Sequence, residues 1–226
     1  MIGRIYGTGA YAPMKILHNN DIAKMVETSD EWIQERTGVV RRHIIEADTT
    51  VTMAAKAALR ALTDGNIKPE EVDLIIVSTF SSNVLLPCAA CEVQKEIGAI
   101  NAACFDLNAA CTGFLFAYNT AQMYIASGMC KTVLVIGSES LSTLVDWSDR
   151  GTCILFGDGA GATVLKAEEG MLFPIIMHSD GTKGEALTCE SRHQKDWQPG
   201  KKEDKTFMRM DGQAVFKFAV KQVPAC

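Results

Sequence analysis

The chain has 226 residues, 47% of them hydrophobic and 22% charged, and a formal net charge of −5. This composition is typical of a globular protein with a sizeable core and excludes a long disordered chain. The acidic balance argues against nucleic acid as a main partner, because phosphate binding needs a basic surface.

Strands and helices alternate through the first half of the chain. Caps and apolar spacing predict, in order, a strand over 3–12, a short helix from Asn20 or Asp21 to Glu27, a helix over 30–36, a helix from Thr49 or Thr50 to Asp64–Gly65, a strand over 72–79, a helix over 87–97 and a strand over 103–107. The strand over 72–79 has β-branched residues on both faces, which indicates burial on both sides.

The second half begins with a long helix over 110–127 and a buried strand over 131–137. It continues with a polar segment, two strands over 152–156 and 160–167, a polar connection over 179–205, a strand over 206–210 and a helix that starts at Gly212. Helices that alternate with buried strands predict α/β layers around a central sheet. The consecutive late strands predict an antiparallel edge on a mostly parallel sheet.

Nothing in the sequence predicts a membrane or secreted protein. No apolar run reaches the roughly 18 residues of a membrane span. The opening, MIGRIYGTGAYAP, has an apolar stretch that is too short for a signal peptide and is broken by Gly and Arg. We therefore expect a cytoplasmic protein whose eight cysteines are reduced thiols.

Cys111 is the first candidate for chemistry, since it stands where a predicted strand passes into a predicted helix. A helix N-terminus favours a thiolate, and its N–H donors could bind an oxyanion. A nucleophilic thiol also needs a base, and none of the four histidines lies in a motif tied to this cysteine. Buried packing is the alternative.

Cys88 and Cys91 form a CxxC pair at a predicted helix start. Such a pair can be redox-active. No second pair completes a zinc site, and i,i+3 spacing in an apolar helix is typical of core packing.

Two glycine-rich segments, beginning at Gly7 and at Gly157, match the pattern G-x-G-x-x-G/A. A dinucleotide site requires a helix directly after this pattern, and neither segment is followed by one. We expect these glycines to serve tight turns and close strand packing.

Trp32 and Arg36 lie four residues apart, on one face of a short predicted helix. An exposed Trp–Arg pair can stack on a base and contact phosphates. Alternatively, the tryptophan anchors the helix and the arginine forms a surface ion pair. Arg41 and Arg42 either add phosphate contacts or are solvated, and Arg150, beside Trp147, raises the same question.

Five stretches of sequence together carry a family resemblance. They closely resemble β-ketoacyl-acyl-carrier-protein synthase III, the condensing enzyme that starts fatty acid synthesis, and they read TSDEWIQERTGVVRRHI, LPCAACEVQKEIGA, FDLNAACTGF, SDRGTCILFGDGAGATVL and MDGQAVFKFAV. The resemblance runs from Met1 to about Val223. It implies a thiolase-like fold with a mixed five-stranded sheet in a homodimer, the N-terminal half at 1–170 and a connection with the truncated start of the C-terminal half at 171–226.

The resemblance also implies the reaction. Cys111 matches the nucleophile that accepts an acyl group from acyl-CoA, commonly acetyl-CoA, before condensation with malonyl-acyl carrier protein releases CO2. Acyl-CoA is a substrate, and no permanently bound cofactor or metal is implied.

Further positions of the sequence match the family's binding residues. Trp32, Arg36 and Arg150 match positions that hold the CoA adenine and phosphates, and Thr28 and Thr37 lie nearby in the motif. Lys217 matches a basic carrier-protein contact. The positions that match the acyl pocket are Leu86, which in the family reaches across the dimer, and Ile154, Leu155, Phe156, Met210, Gly212 and Phe216.

The sequence departs from the family in the motifs whose side chains assist decarboxylation. The family's second half carries a His and an Asn in motifs like PHQAN and GNTSAAS, and a glycine-rich loop with a second oxyanion donor. These motifs do not occur here, so about the final third of the usual chain is absent. Two alternatives stay open: a truncated, non-catalytic CoA-binding or dimerisation module, and a starter-unit synthase of a polyketide pathway.

We expect the 226-residue chain by itself to accept an acyl group on Cys111 but not to catalyse the condensation step. Activation of the thiol by a helix terminus needs only the first half of the fold. Incubation of the purified chain with acyl-CoA and malonyl-acyl carrier protein tests this. Detection of a β-ketoacyl product would contradict it.

Overall fold

A computed structural model describes residues 1–190 and 207–225. In chain order, the strands and helices are β1 (Ile2–Tyr11), β2 (Lys15–His18), α1 (Asn19–Ile22), α2 (Asp30–Thr37), β3 (Arg41–Ile44), α3 (Thr50–Asp64), β4 (Leu74–Ser78), α4 (Ala89–Ile97), β5 (Ala103–Leu107), α5 (Gly113–Ala126), β6 (Thr132–Ser140), α6 (Arg150–Cys153), β7 (Asp158–Glu168), β8 (Leu187–Thr188), β9 (Arg209–Met210) and α7 (Gly212–Gln222). Short 3-10 turns include Pro69–Glu71, Ala110–Thr112 and Gly181–Ala186.

The described chain divides into two compact units, each built from separate segments. The first unit contains residues 1–16, 43–140 and 157–175, and the second contains the described residues of 17–42, 141–156, 176–190 and 207–225. The division into halves at residue 170, expected from the sequence, stays a prediction.

A mixed five-stranded sheet forms the centre of the first unit, in the order β1-β7-β6-β4-β5. β4 pairs in parallel with both β5 and β6, whereas β7 runs antiparallel to β6 and to β1. The predicted mixed sheet is therefore confirmed. Its antiparallel side consists of β1 and β7 rather than of two consecutive late strands.

Alternate residues of the central strands enter two separate cores. Ile75 and Val77 of β4 pack with α3 and α4 in one cluster. Leu74 and Ile76 pack with α5 in the other. All five residues of β4 are buried, which confirms the burial predicted from its sequence, and the sheet is covered by helices on both faces.

Two glycines let β1 lie directly on α3. A Cβ atom at Gly9 would lie 2.2 Å from the carbonyl oxygen of Ala57, and one at Gly7 would lie 2.3 Å from that of Ala61. The contacted atoms are backbone, so they cannot rotate away. Close packing, rather than dinucleotide binding, accounts for this glycine pattern.

The second unit has a smaller core of its own. Ile22 of α1, Ile33 of α2 and Cys153 of α6 meet there with Val145 and Ile154. β8 and β9 pair in an antiparallel ribbon. Asp211 caps α7 by accepting hydrogen bonds from the backbone N–H groups of Gln213 and Ala214, at 3.1 and 3.0 Å.

Several predicted elements are wrong or shifted. The strand predicted over 152–156 does not form. Residues 150–153 are a helix instead, because the Asp149 carboxylate accepts hydrogen bonds from the Gly151 N–H and the Thr152 hydroxyl and caps a helical turn. The helix predicted from Pro87 begins at Ala89, with Cys88 extended as its N-cap. β2 and β3 were not predicted, and Thr206 and most of the polar connection lie outside the described residues.

We expect Gly9→Ala to lower the free energy of unfolding by about 1–3 kcal/mol, because the added methyl group overpacks the contact between β1 and α3. Urea denaturation measures the change. Gly161→Ala is the matched control, since a Cβ at Gly161 of β7 meets no atom within 4 Å; it should change stability by less than about 0.5 kcal/mol. Equal losses in the two variants would contradict this interpretation.

Candidate active site

Cys111 is exposed to solvent in the turn that joins β5 to α5. The predicted helix start at Ala110 is wrong by one turn, since Ala110–Thr112 is a 3-10 turn and α5 begins at Gly113. Ala110 has a φ of +44°, a left-handed conformation that costs an L-residue about 1–2 kcal/mol. The backbone is thus strained directly before the thiol, a feature common at functional sites.

Gly113 brings the start of α5 against the end of β4. A Cβ atom at Gly113 would lie 2.2 Å from the Ser78 hydroxyl oxygen. β4 and β5 are parallel neighbours, so their carboxyl ends lie at the same edge of the sheet. Cys111 is therefore held at this edge by packing on both sides of its turn.

Glu139, near the end of β6, accepts a cluster of hydrogen bonds at the same edge of the sheet. Its carboxylate receives the backbone N–H groups of Phe80 and Ser81, each at 3.1 Å, the Thr79 hydroxyl at 3.2 Å and the Ser81 hydroxyl. Burial raises the pKa of this carboxyl, against the opposing effect of the donors. Glu139 fixes the first residues of the segment that follows β4.

Asp106 of β5 fixes the other end of that segment. Its two carboxylate oxygens accept the N–H groups of Ala89 and Ala90, both at 2.8 Å. Leu86 lies between the two clamped ends and is 87% exposed. A segment held by hydrogen bonds at both ends thus presents an apolar side chain to solvent.

The CxxC pair lies at the start of α4, with 3.4 Å between the sulfur atoms of Cys88 and Cys91. Asp106 occupies the helix N–H groups that would otherwise stabilise a thiolate there. Burial raises the pKa of the Cys88 thiol and raises the pKa of Cys104 to about 12, with the neighbouring cysteines adding to the latter shift. These shifts favour protonated thiols and packing over a reactive redox pair.

Trp32, Arg36 and Arg150 come together in the second unit. The guanidinium carbons of Arg36 and Arg150 lie 4.2 and 4.8 Å from the centroid of the Trp32 ring. Arg150 also donates to the Glu27 carbonyl oxygen at 3.1 Å. Both arginines are exposed and Trp32 is half-buried, so an aromatic surface with two cations faces solvent.

The two threonines of this motif differ in their surroundings. The Thr37 hydroxyl donates to the Ile33 carbonyl at 2.7 Å and accepts the Val39 N–H at 3.0 Å, so it serves the end of α2. Within the described part of the chain, the buried Thr28 hydroxyl has no hydrogen-bond partner. Thr28 therefore keeps an unused donor and acceptor.

The pocket positions of the second unit lie on three short segments. Ile154 is buried directly after α6, Leu155 is 37% exposed and Phe156 packs on the unit's core. Met210 lies on β9, which contacts α6. Gly212 and Phe216 belong to α7, where Phe216 is 67% exposed, and Lys217 next to it is also exposed.

One histidine and the possible metal ligands of the described chain can be placed. His43 has Nδ1 2.6 Å from the Pro13 carbonyl oxygen, and His193 lies outside the described residues. Across residues 1–190 and 207–225, no group of three or more His, Cys, Asp or Glu side chains could hold a metal ion. Over the same residues, no helix is long and apolar enough to cross a bilayer.

Sequence reasoning missed Glu139 and Asp106. Each is the single acidic residue of its strand, within TVLVIGSES and ACFDL. A charge among the apolar residues of a strand needs compensating donors, and this was the available signal. Which donors they bind depends on contacts between distant segments.

The layered α/β fold defines a thiolase-like protein, and the exposed thiol at its strand-to-helix corner is a candidate nucleophile. A family model for 3-oxoacyl-[acyl-carrier-protein (ACP)] synthase III matches residues 105–181. The β-ketoacyl-[acyl-carrier-protein] synthase III of Clostridium acetobutylicum is 52% identical over 96% of this chain and 67% of its own length. That of Clostridium kluyveri is 46% identical over 96% of this chain and 68% of its own length. The chain belongs to this family of acyltransferases.

Solved structures agree with this assignment. The crystal structure of 3-oxoacyl-[acyl-carrier-protein] synthase III from Aquifex aeolicus matches with a TM-score of 0.89 and 42% identity, over 97% of this chain and 68% of the other. A priming β-ketosynthase from a polyketide biosynthetic pathway matches with a TM-score of 0.91 and 35% identity, over 98% and 67%. The chain spans about two thirds of the length of these relatives.

We expect the wild-type chain to have a larger free energy of unfolding than Glu139→Gln at low pH, and we expect this difference between the two proteins to decrease as pH rises. A carboxyl whose pKa is raised by folding contributes stability below the ordinary value of 4.5 and loses it as pH rises through the folded-state value. Urea titrations from pH 4 upward, at about half-unit steps, measure this difference. Glu96→Gln, at an exposed site on α4, is the control, and a difference that rises with pH for Glu139→Gln would refute the expectation.

Proposed function

We propose that this chain carries the acyl-accepting part of β-ketoacyl-acyl-carrier-protein synthase III, with Cys111 as the nucleophile. The Cys111 thiolate attacks the carbonyl carbon of an acyl-CoA, and the CoA thiolate leaves as the new thioester forms. In the family's complete reaction, which also uses the His and Asn motifs that do not occur in this sequence, malonyl-acyl carrier protein then loses CO2, its carbanion attacks the acyl carbonyl, and the cysteine thiolate is released. This proposal rests on one observation: the Cys111 thiol is exposed and directly follows the strained residue Ala110.

The Trp32 surface supports acyl-CoA as the acyl donor. An adenine ring can stack on an aromatic or guanidinium plane, and two adjacent cations attract the phosphates. We infer that Trp32, Arg36 and Arg150 hold the nucleotide, with the unpartnered Thr28 hydroxyl available for a further hydrogen bond. Thr37 supports this site by ending α2.

The primer's acyl chain would be bound by the apolar residues that match the family's pocket. Those in the second unit are Ile154, Leu155, Phe156, Met210, Gly212 and Phe216. Leu86 would close the pocket of a partner subunit, because its 87% exposure leaves it free to enter a neighbouring molecule. Lys217 is exposed and would meet an acidic carrier protein.

A homodimer is supported by the edge of the main sheet. β5 is an edge strand, and Cys104, Phe105 and Leu107 on it are only partly buried. An uncovered apolar edge strand favours pairing with a second chain. A cytoplasmic location completes the proposal and fits an acyl-CoA and a carrier protein as partners.

A starter-unit synthase of a polyketide pathway is the second candidate. The match to a priming β-ketosynthase at a TM-score of 0.91 favours it. The two functions share the thiol and the nucleotide site and differ in the carrier protein and primer that they accept. Competition between carrier proteins of the two pathways separates them.

Acetyl-CoA should add one acetyl group to the wild-type chain and none to Cys111→Ser, because a serine hydroxyl at this position is a far weaker nucleophile than a thiolate. Intact-mass spectrometry, followed by peptide mapping, locates the group. Cys189→Ser removes another exposed cysteine and should leave acetylation unchanged. Acetylation of Cys111→Ser to the wild-type extent would refute the proposed nucleophile.

A further inference from the structure

Arg42 on β3 is a buried arginine in the second unit. Only 4% of its surface is exposed. One terminal nitrogen, Nη2, donates to the Ile154 carbonyl oxygen at 2.6 Å and to the Asn19 amide oxygen at 2.9 Å. The alternatives drawn from the sequence, a phosphate contact or a solvated side chain, are both inconsistent with this burial.

Asn19 extends the contacts of Arg42 to both ends of α2. It is 1% exposed, and its amide nitrogen donates to the Asp30 carboxylate at 2.7 Å and to the Val39 carbonyl at 2.8 Å. Asp30 is the first residue of α2, and Val39 lies just beyond its last residue. A single side chain therefore holds the start and the end of the helix that carries Trp32 and Arg36.

Ile154 extends the same contacts to α6. It is the residue directly after this four-residue helix, which begins at Arg150. The chain of hydrogen bonds from Asp30 through Asn19 and Arg42 to Ile154 thus joins the two helices whose arginines flank Trp32. The separation of those two guanidinium groups depends on how α2 and α6 are held.

If Arg42 served only to stabilise the packing of two helices, the free-energy penalty of its burial would make it an unfavourable choice. Within the described part of the chain, its Nε and Nη1 atoms have no hydrogen-bond partner, and no salt bridge pairs it with a carboxylate. Burial disfavours its charged form and lowers the pKa of the guanidinium. Burying a cation without an ion pair opposes folding, so a role in positioning accounts for it better.

We propose that Arg42 is a positioning residue for the CoA nucleotide, acting through Asn19 and Ile154 to set the spacing of Arg36 and Arg150 beside Trp32. This inference rests on the proposed function, because it takes the Trp32 surface to be the nucleotide site. It predicts a defect limited to ligands that carry the nucleotide. Pantetheine thioesters, which have the reactive end without the nucleotide, should be unaffected.

The test compares Arg42→Met with the wild-type chain in two measurements. Calorimetric titration with CoA should show a dissociation constant raised roughly tenfold or more, because misplaced groups bind poorly. The rate of Cys111 acetylation by acetyl-pantetheine should stay within about twofold of the wild type, since this thioester lacks the groups that the Trp32 surface binds. Arg4→Met is the control: it makes the same chemical change at an exposed arginine that pairs with Glu168 in the first unit, and should alter neither value.

The possible outcomes distinguish a failure of the positioning role of Arg42 from a failure of the proposed function. Unchanged CoA binding in Arg42→Met overturns the positioning role, as does an equal loss with CoA and with acetyl-pantetheine. A wild-type chain that is acetylated by acetyl-pantetheine but does not bind CoA refutes the nucleotide site, and the role of Arg42 with it. A wild-type chain that binds CoA without acetylation of Cys111 refutes only the nucleophile.

Arg42→Lys serves if Arg42→Met does not fold. It keeps the charge but replaces the guanidinium fork with a single ammonium group. We expect a smaller but measurable rise in the CoA dissociation constant, with a melting temperature near that of the wild type. Wild-type CoA affinity in Arg42→Lys, together with a normal melting temperature, would show that charge alone suffices and would overturn the positioning geometry.

Discussion

Burial of β4 on both faces is the constraint on which the first unit depends. The strand pairs with β5 on one side and β6 on the other, while α3 and α4 cover one face and α5 the other. A strand enclosed in this way cannot slide, because a shift by one residue would exchange its two apolar faces. The ends of β4, β5 and β6 are thereby fixed at one edge, where Cys111 and Glu139 lie.

Carboxylates organise that edge without taking part in the proposed reaction. Glu139 and Asp106 each collect backbone N–H groups from the segment between β4 and α4. The buried backbone donors of this irregular segment would otherwise be unsatisfied. Because the Glu139 and Asp106 carboxylates hold the two ends of the segment, Leu86 between them can be exposed to solvent.

In the second unit, side chains again satisfy backbone polar groups, but the charged side chain is a cation that donates to carbonyl oxygens rather than a carboxylate that accepts from N–H groups. Arg42 and Asn19 satisfy backbone carbonyls at the ends of short helices. Helices as short as α2 and α6 gain little stability from their own hydrogen bonds, so their placement depends on contacts beyond the helices themselves. Their arginines meet Trp32 because those contacts hold them.

Sequence patterns alone determined the order of the main strands and helices, the burial of β4 and the candidate thiol, because apolar periodicity and capping are local properties. They failed at residues 152–156, where the predicted strand is absent because the Asp149 side chain caps a helix over 150–153. They also could not show that Arg42 is buried while Arg41 is exposed, nor which donors Glu139 and Asp106 bind. Those features depend on segments that are distant along the chain and meet only when the sheet and helices have packed.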